Sequence, residues 1–230
     1  MRKIKELIDP YNYGWTLLKQ WIEQSTRQVN VLPIHSKEQT ETALVETQVT
    51  TKSILGAIIY HTGGVIVNNG WIRIWGSGSE TLNRSIPEWS KGKSFQTLNE
   101  VPGYLVIADD VLGGLFCING GTLGNDIGNI YYFAPDCLDF EPLEVTYSEL
   151  INFFLLGDID TFYQDFHWST ETDDLKKLSY DEVFNFMPPL WTKEGKQIEN
   201  TFKGKINIEE YFNLNVELRL GLNRIEDKYL

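Results

Sequence analysis

The stretch from Gly103 to Ala134, GYLVIADDVLGGLFCINGGTLGNDIGNIYYFA, constrains the fold more than any other part of the chain. It reads as three short strands, YLVIA, GLFCI and NIYYFA. β-branched and aromatic residues favour the pleated surface of a sheet. The turns between the strands are dense in Gly, Asp and Asn, which supply positive φ or bond their own neighbouring amides.

Upstream, VIVNNGWIRIW (Val65–Trp75) is the clearest hairpin. Asn69-Gly70 suits a two-residue turn, because both positions tolerate positive φ. Such a turn sets Asn68 opposite Trp71, Val67 opposite Ile72 and Val65 opposite Ile74. Strand alternation then places Val65, Val67, Ile72 and Ile74 on one face, and Ile66, Trp71, Arg73 and Trp75 on the other. The second face is either covered by a helix, the weightier alternative, or is a mixed aromatic and cationic patch. Trp71, Arg73 and Trp75 are the binding residues under the latter.

Helical signals flank these strands. Helices are expected over 2–8 and 12–28, broken near Asp9-Pro10. In the second, Trp15, Leu18 and Ile22 recur at helical spacing with Leu17 and Trp21 alongside, a core-facing stripe. Val29 to Ile34 is extended. Ser36-Lys37-Glu38-Gln39 is a capping box that opens a helix to about Gln48. Ile54 to Tyr60 fits helix or strand, and Ile86-Pro87-Glu88-Trp89 admits one helical turn. Thr146-Tyr147-Ser148-Glu149 is a second capping box, with Gly157 as the C′ stop of its helix. A further helix begins near Asp158 or Asp160. Phe184 to Trp191, with Pro188-Pro189, reads as packed and irregular, and a last helix covers about Ile208 to Leu220 with the stripe Tyr211, Leu214, Leu218.

The resulting class is α+β, a mainly antiparallel sheet flanked by helices. The 230 residues suffice for a full core, and no internal repeat or linker divides them, so a single domain over 1–230 is expected. The polar run from Ser169 is the weakest point for a boundary. A formal net charge of −12 argues against non-specific nucleic-acid binding and permits a basic protein partner. No apolar run has the length of a signal peptide or a membrane span. Cys117 and Cys137 read as buried free thiols, and the expected location is the cytoplasm.

Candidate chemistry is sparse. His35, His61 and His167 are scattered, so neither a metal nor a cofactor is expected. Gly76-Ser77-Gly78-Ser79 lacks the spacing of a nucleophile elbow, and Gly120-Gly121-Thr122-Leu123-Gly124 lacks the lysine of a phosphate-binding loop. The catalytic candidates are Asp109 and Asp110 after a strand, with Asn119 and Asp126 in the next turn region. Neighbouring carboxylates can act as acid and base or hold a cation. The same residue types also form turns, and turn chemistry outweighs catalysis here. An enzyme reading requires all four in one cleft, with Arg73 as a further member.

The pattern YLVIADDVLGGLFCINGG, GNIYYFAPD and TYSELINFF, over about 100–157, resembles the core of the SUKH superfamily of bacterial immunity proteins and yeast cell-wall regulators. A wider set of motifs, VTTKSILGAIIYHTGGVIVNNGWIRIWGSGS, PEWSKG, ADDVLGGLFCINGG, DIDTFYQDFHW and LWTKEGK, resembles an uncharacterised bacterial family of unknown function. The SUKH resemblance implies an α+β fold and action by protein contact, with toxin enzymes as partners, and leaves a C-terminal extension after about 170. The expected function is a protein-binding module, immunity-like; the alternative is an enzyme built on the Asp/Asn cluster.

Overall fold

Asn68, Asn69 and Gly70 all take left-handed backbone, with φ of 52°, 57° and 94°. The Trp71 amide closes this turn on the Asn68 carbonyl at 3.0 Å. In the computed structural model, which describes residues 1–97 and 100–229, the turn joins β2 (Gly64–Val67) to β3 (Ile72–Trp75). Val67 faces Ile72 and Val65 faces Ile74, the register that the Asn-Gly signal dictates.

The other strands extend this pair on both sides. β1 (Val29–Leu32) lies outside β2; β4 (Tyr104–Asp110), β5 (Leu115–Asn119), β6 (Asn129–Ala134) and β7 (Asp139–Thr146) follow β3. The seven strands form one sheet in chain order, antiparallel throughout. β7 escapes sequence reading because it carries Pro142, several carboxylates and a left-handed Glu144. It is an edge strand, where a missing amide and an irregular ladder cost little and discourage pairing with another chain.

Residues directly opposite across a ladder share a face. Ile74, Ala108, Phe116 and Tyr132 therefore line one side. Against this side pack α4 (Ile54–His61) and α6 (Tyr147–Leu156); α2 (Tyr13–Gln24) packs on both of them, α3 (Lys37–Thr47) on α4, and α1 (Ile4–Leu7) on α3. Phe116 meets Phe154 of α6 edge-on at 4.9 Å. Arg73, Asp109, Leu115 and Phe133 line the opposite side. That side is closed by α5 (Ile86–Ser90) and by α9 (Ile208–Tyr229), whose Phe212 approaches both Trp89 and Phe133. Both faces of the central strands are buried, so every residue of β2 and β3 is buried, Arg73 included. The architecture is α+β.

Several local expectations shift. Ile54–His61 is helix, opened by Ser53, whose hydroxyl accepts from the Gly56 amide at 3.1 Å. Gly157 ends α6 with φ of −80°, not in the left-handed region, and its missing Cβ leaves room for Phe153. The segment expected to be irregular begins as β8 (Glu182–Met187), paired with β9 (Phe202–Asn207) in a separate two-stranded sheet. The prolines that suggested irregularity stand just beyond the strand's last residue. α9 buries Ile208, Tyr211, Phe212 and Asn215, while Leu214 is exposed, so its inward stripe is rotated from the one expected.

Candidate functional site

Asp109 and Asp110 close β4 with successive side chains on opposite faces, so each anchors a different cluster. Both are fully buried. On one face, Asp109 Oδ1 accepts from the Trp75 indole at 2.7 Å. Its Oδ2 accepts from Arg73 Nε at 3.1 Å, from Arg73 Nη2, and from Arg84 Nη1 at 3.3 Å. The Arg84 guanidinium lies 4.7 Å over the Trp75 ring and also donates to the Tyr180 carbonyl. Burial pushes the Arg84 pKa down, and Asp109 opposes that shift.

On the other face, Asp110 Oδ1 accepts from the amides of Leu112 and Gly114 at 2.9 and 3.0 Å. Its Oδ2 accepts from the hydroxyls of Tyr132 and Tyr163 at 2.6 and 2.8 Å. Tyr163 follows α7 (Ile159–Phe162), so the second cluster ties the chain's C-terminal half to the sheet. Burial raises the Asp110 pKa, and the Tyr132 and Tyr163 hydroxyls, the Gly114 amide and the Arg73 charge oppose it. Burial, with Asp110 next, lifts both tyrosines well above the ordinary phenol value.

Asn119 and Asp126 lie elsewhere. β4 and β5 run antiparallel with Asp109 opposite Leu115 and Tyr104 opposite Asn119. The two sets are thus separated by four strand residues, about 13 Å. Asn119 Oδ1 accepts from the Gly121 amide at 2.7 Å, and its Nδ2 donates to the Gly124 carbonyl at 2.9 Å. Asp126 Oδ1 accepts from the Tyr131 hydroxyl at 2.7 Å, the main cause of its lowered pKa. These residues staple the β5–β6 turn. The four catalytic candidates do not meet in one cleft, because two serve the buried charge clusters and two serve a loop.

The arrangement around Asp109 and Asp110 holds segments together. Every carboxylate oxygen there is already bonded and shielded from solvent, whereas acid–base catalysis requires a group within reach of a substrate proton. Arg73 belongs to this cluster. Trp71, Arg73 and Trp75 are all buried; Trp71 packs on Tyr163, His167 and Trp168. Arg73 and Trp75 join the Asp109 cluster while Trp71 packs with Tyr163 of the Asp110 cluster, so the expected aromatic and cationic surface patch does not form. Arg84, Tyr132 and Tyr163 complete the clusters, and no spacing in the sequence marks them, since each comes from a different element. Among the described residues no group of three or more His, Cys, Asp or Glu side chains is placed to hold a metal ion, and no helix is long and apolar enough to cross a membrane.

Exposed apolar side chains stand on the small sheet, where Met187 and Phe202 pair, and at the start of α2. Leu18 faces the core, but Tyr13 and Leu17 point outward, 57% and 41% exposed, with Tyr11 beside them at 72%. Tyr13 and Leu17 stand one helical turn apart, and the rings of Tyr11 and Tyr13 are 5.5 Å apart. Trp21, the next residue on this line, is half-buried.

A family model described as "Protein of unknown function DUF2625" matches residues 4–211. The chain belongs to that family. The DUF2625 match takes in the whole seven-stranded sheet, both charge clusters and the β8–β9 pair, and ends one turn into α9. A Haemophilus influenzae protein named "Uncharacterized protein" is 39% identical over 215 residues, 94% of each chain. "Putative uncharacterized protein YbfG" of Escherichia coli K12 is 42% identical over 193 residues, covering 84% of this chain and 87% of the relative.

Proposed function

We propose that this DUF2625 chain is a cytoplasmic protein-binding module that acts by contact with a basic protein partner, in the manner of immunity proteins that neutralise toxin enzymes. The observation that carries this reading is the exposed Tyr11, Tyr13 and Leu17 surface on α2. Tyrosine supplies large contact area with little conformational entropy to lose, and aromatic residues are enriched at the centres of interfaces. Helix α2 packs on α4, which gives Tyr13 and Leu17 a folded support. The net charge of −12 favours encounter with a basic partner. The resemblance of residues 100–157 to the SUKH core supports the same mode of action. The saturated state of Asp109 and Asp110 weighs against the enzyme alternative.

The test is co-expression with a toxin encoded beside a DUF2625 gene, followed by co-purification and a survival assay. The reading expects a complex of fixed stoichiometry and protection of the host, both lost in Leu17→Asp with the circular dichroism spectrum unchanged. Absence of both, or a complex indifferent to substitutions at Tyr13 and Leu17, overturns it.

A further inference from the structure

A cavity of about 210 Å³ lies between β5, β7, α6 and the end of α7. Phe116, Leu150 and Phe154 are its buried lining. Leu143, Val145 and Phe153 are half-buried and Phe162 is 37% exposed, so the space reaches from the core to the surface. Voids larger than a water molecule are few among packed apolar side chains. Here fixed parts of the fold surround the space. A Cβ at residue 157 would stand 2.3 Å from Phe153 Cδ2, so Gly157 gives that ring its place. Phe162 meets Phe153 and Tyr163 edge-on, with ring centroids 6.1 and 4.8 Å apart, and Tyr163 is itself bonded to Asp110 at 2.8 Å.

The chemistry of the lining decides the polarity of a guest. The described side chains that line the cavity are four Phe, two Leu and one Val, and none carries a polar atom. A charged or hydrogen-bonding group taken inside would lose its water and gain no partner. A guest is therefore uncharged and apolar over the surface that enters. Volume sets its size. Apolar cavities of about 150 Å³ lined by Leu, Ile and Phe stay dry and take up benzene, whereas pockets for drug-sized ligands begin at about 300 Å³. At about 210 Å³ the space suits one ring or two fused rings. The phenyl rings of the lining favour an aromatic guest over an aliphatic one, because edge-to-face and offset contacts between rings stabilise beyond the area they bury. Phe116 and Phe154 already make such a contact with each other at 78° between their planes.

We propose that this cavity binds a free, uncharged aromatic molecule of one ring or two fused rings. It shares no residue with the Tyr11, Tyr13 and Leu17 surface, and the proposal does not rest on that surface's role. The experiment is calorimetric titration of the full chain with toluene and with indole, and with benzoate as a charged control that keeps the ring. The expected result is saturable binding of one toluene or indole per chain, about tenfold or more tighter than benzoate, a gap of about 1.4 kcal/mol. In the parent chain, nuclear Overhauser contacts from the bound ring reach the methyl groups of Leu143, Val145 and Leu150. Val145→Phe, which fills the space from a half-buried position, and Leu143→Asp, which puts a charge in the lining, each weaken binding about tenfold or more, with thermal unfolding reporting the fold. Silence with both toluene and indole overturns the proposal. So does benzoate binding as tightly as they do, a bound ring whose contacts fall on other methyl groups, or binding that neither substitution changes.

Discussion

Asp109 carries more of the fold than its single charge implies, because two buried guanidiniums and an indole converge on it. Removing one partner of a buried charge cluster leaves the rest unpaired in a low dielectric. Asp109→Ala is therefore expected to cost about 3–5 kcal/mol in urea unfolding, more than most core truncations of that size. Tyr163→Phe deletes only one of the four donors to Asp110, and the same measurement should read about 1–3 kcal/mol. These roles were half legible in the sequence. Two carboxylates ending an apolar strand announce something unusual, and Arg73 on the hairpin was visible as their neighbour. Arg84, Tyr132 and Tyr163 were not, since nothing in a linear pattern shows which distant side chains a sheet and its covering layer bring to one point.

At the scale of elements, local chemistry predicted what local chemistry controls. The Asn69-Gly70 turn, the Thr146 cap and the Ser36 cap stand where their residue types require, with Thr146 bonding Glu149 and Ser36 accepting from Gln39. β7 and β8 were hidden because proline and carboxylates mimic loop, and only pairing with a neighbour reveals a strand. The C-terminal half contains an element with a pH signature. In α8 (Glu171–Leu175), Asp174 accepts from the Thr170 hydroxyl and the Trp168 indole, which hold its pKa at about 2. A carboxylate depressed in the folded state stabilises fully above the ordinary value of about 4, and that contribution fades as pH falls toward about 2. Stability of Asp174→Asn, followed by urea unfolding across that interval, should fall less steeply with acid than that of the parent chain.

The whole molecule carries a net charge of −12, and the proposed reading assigns partner contact to the exposed Tyr11, Tyr13 and Leu17. Leu17→Asp should change unfolding free energy by no more than about 0.5 kcal/mol, as expected of a surface site, while abolishing partner capture. If the partner is basic, stopped-flow association should slow about tenfold or more as salt rises from low to high, with dissociation little affected.

The strand order has a consequence for biosynthesis. A sheet whose neighbours in space are neighbours in sequence can assemble strand by strand as the chain leaves the ribosome. The charge clusters cannot be completed on that schedule. Arg84 awaits the Tyr180 carbonyl and Asp181, and Asp110 awaits Tyr163, all well after the last strand of the large sheet. Until those residues emerge, the growing sheet holds Arg84 and Asp110 without their full set of partners. The clusters thus make the native state conditional on synthesis of the C-terminal layer, and a nascent chain halted before Asp181 remains open to proteases.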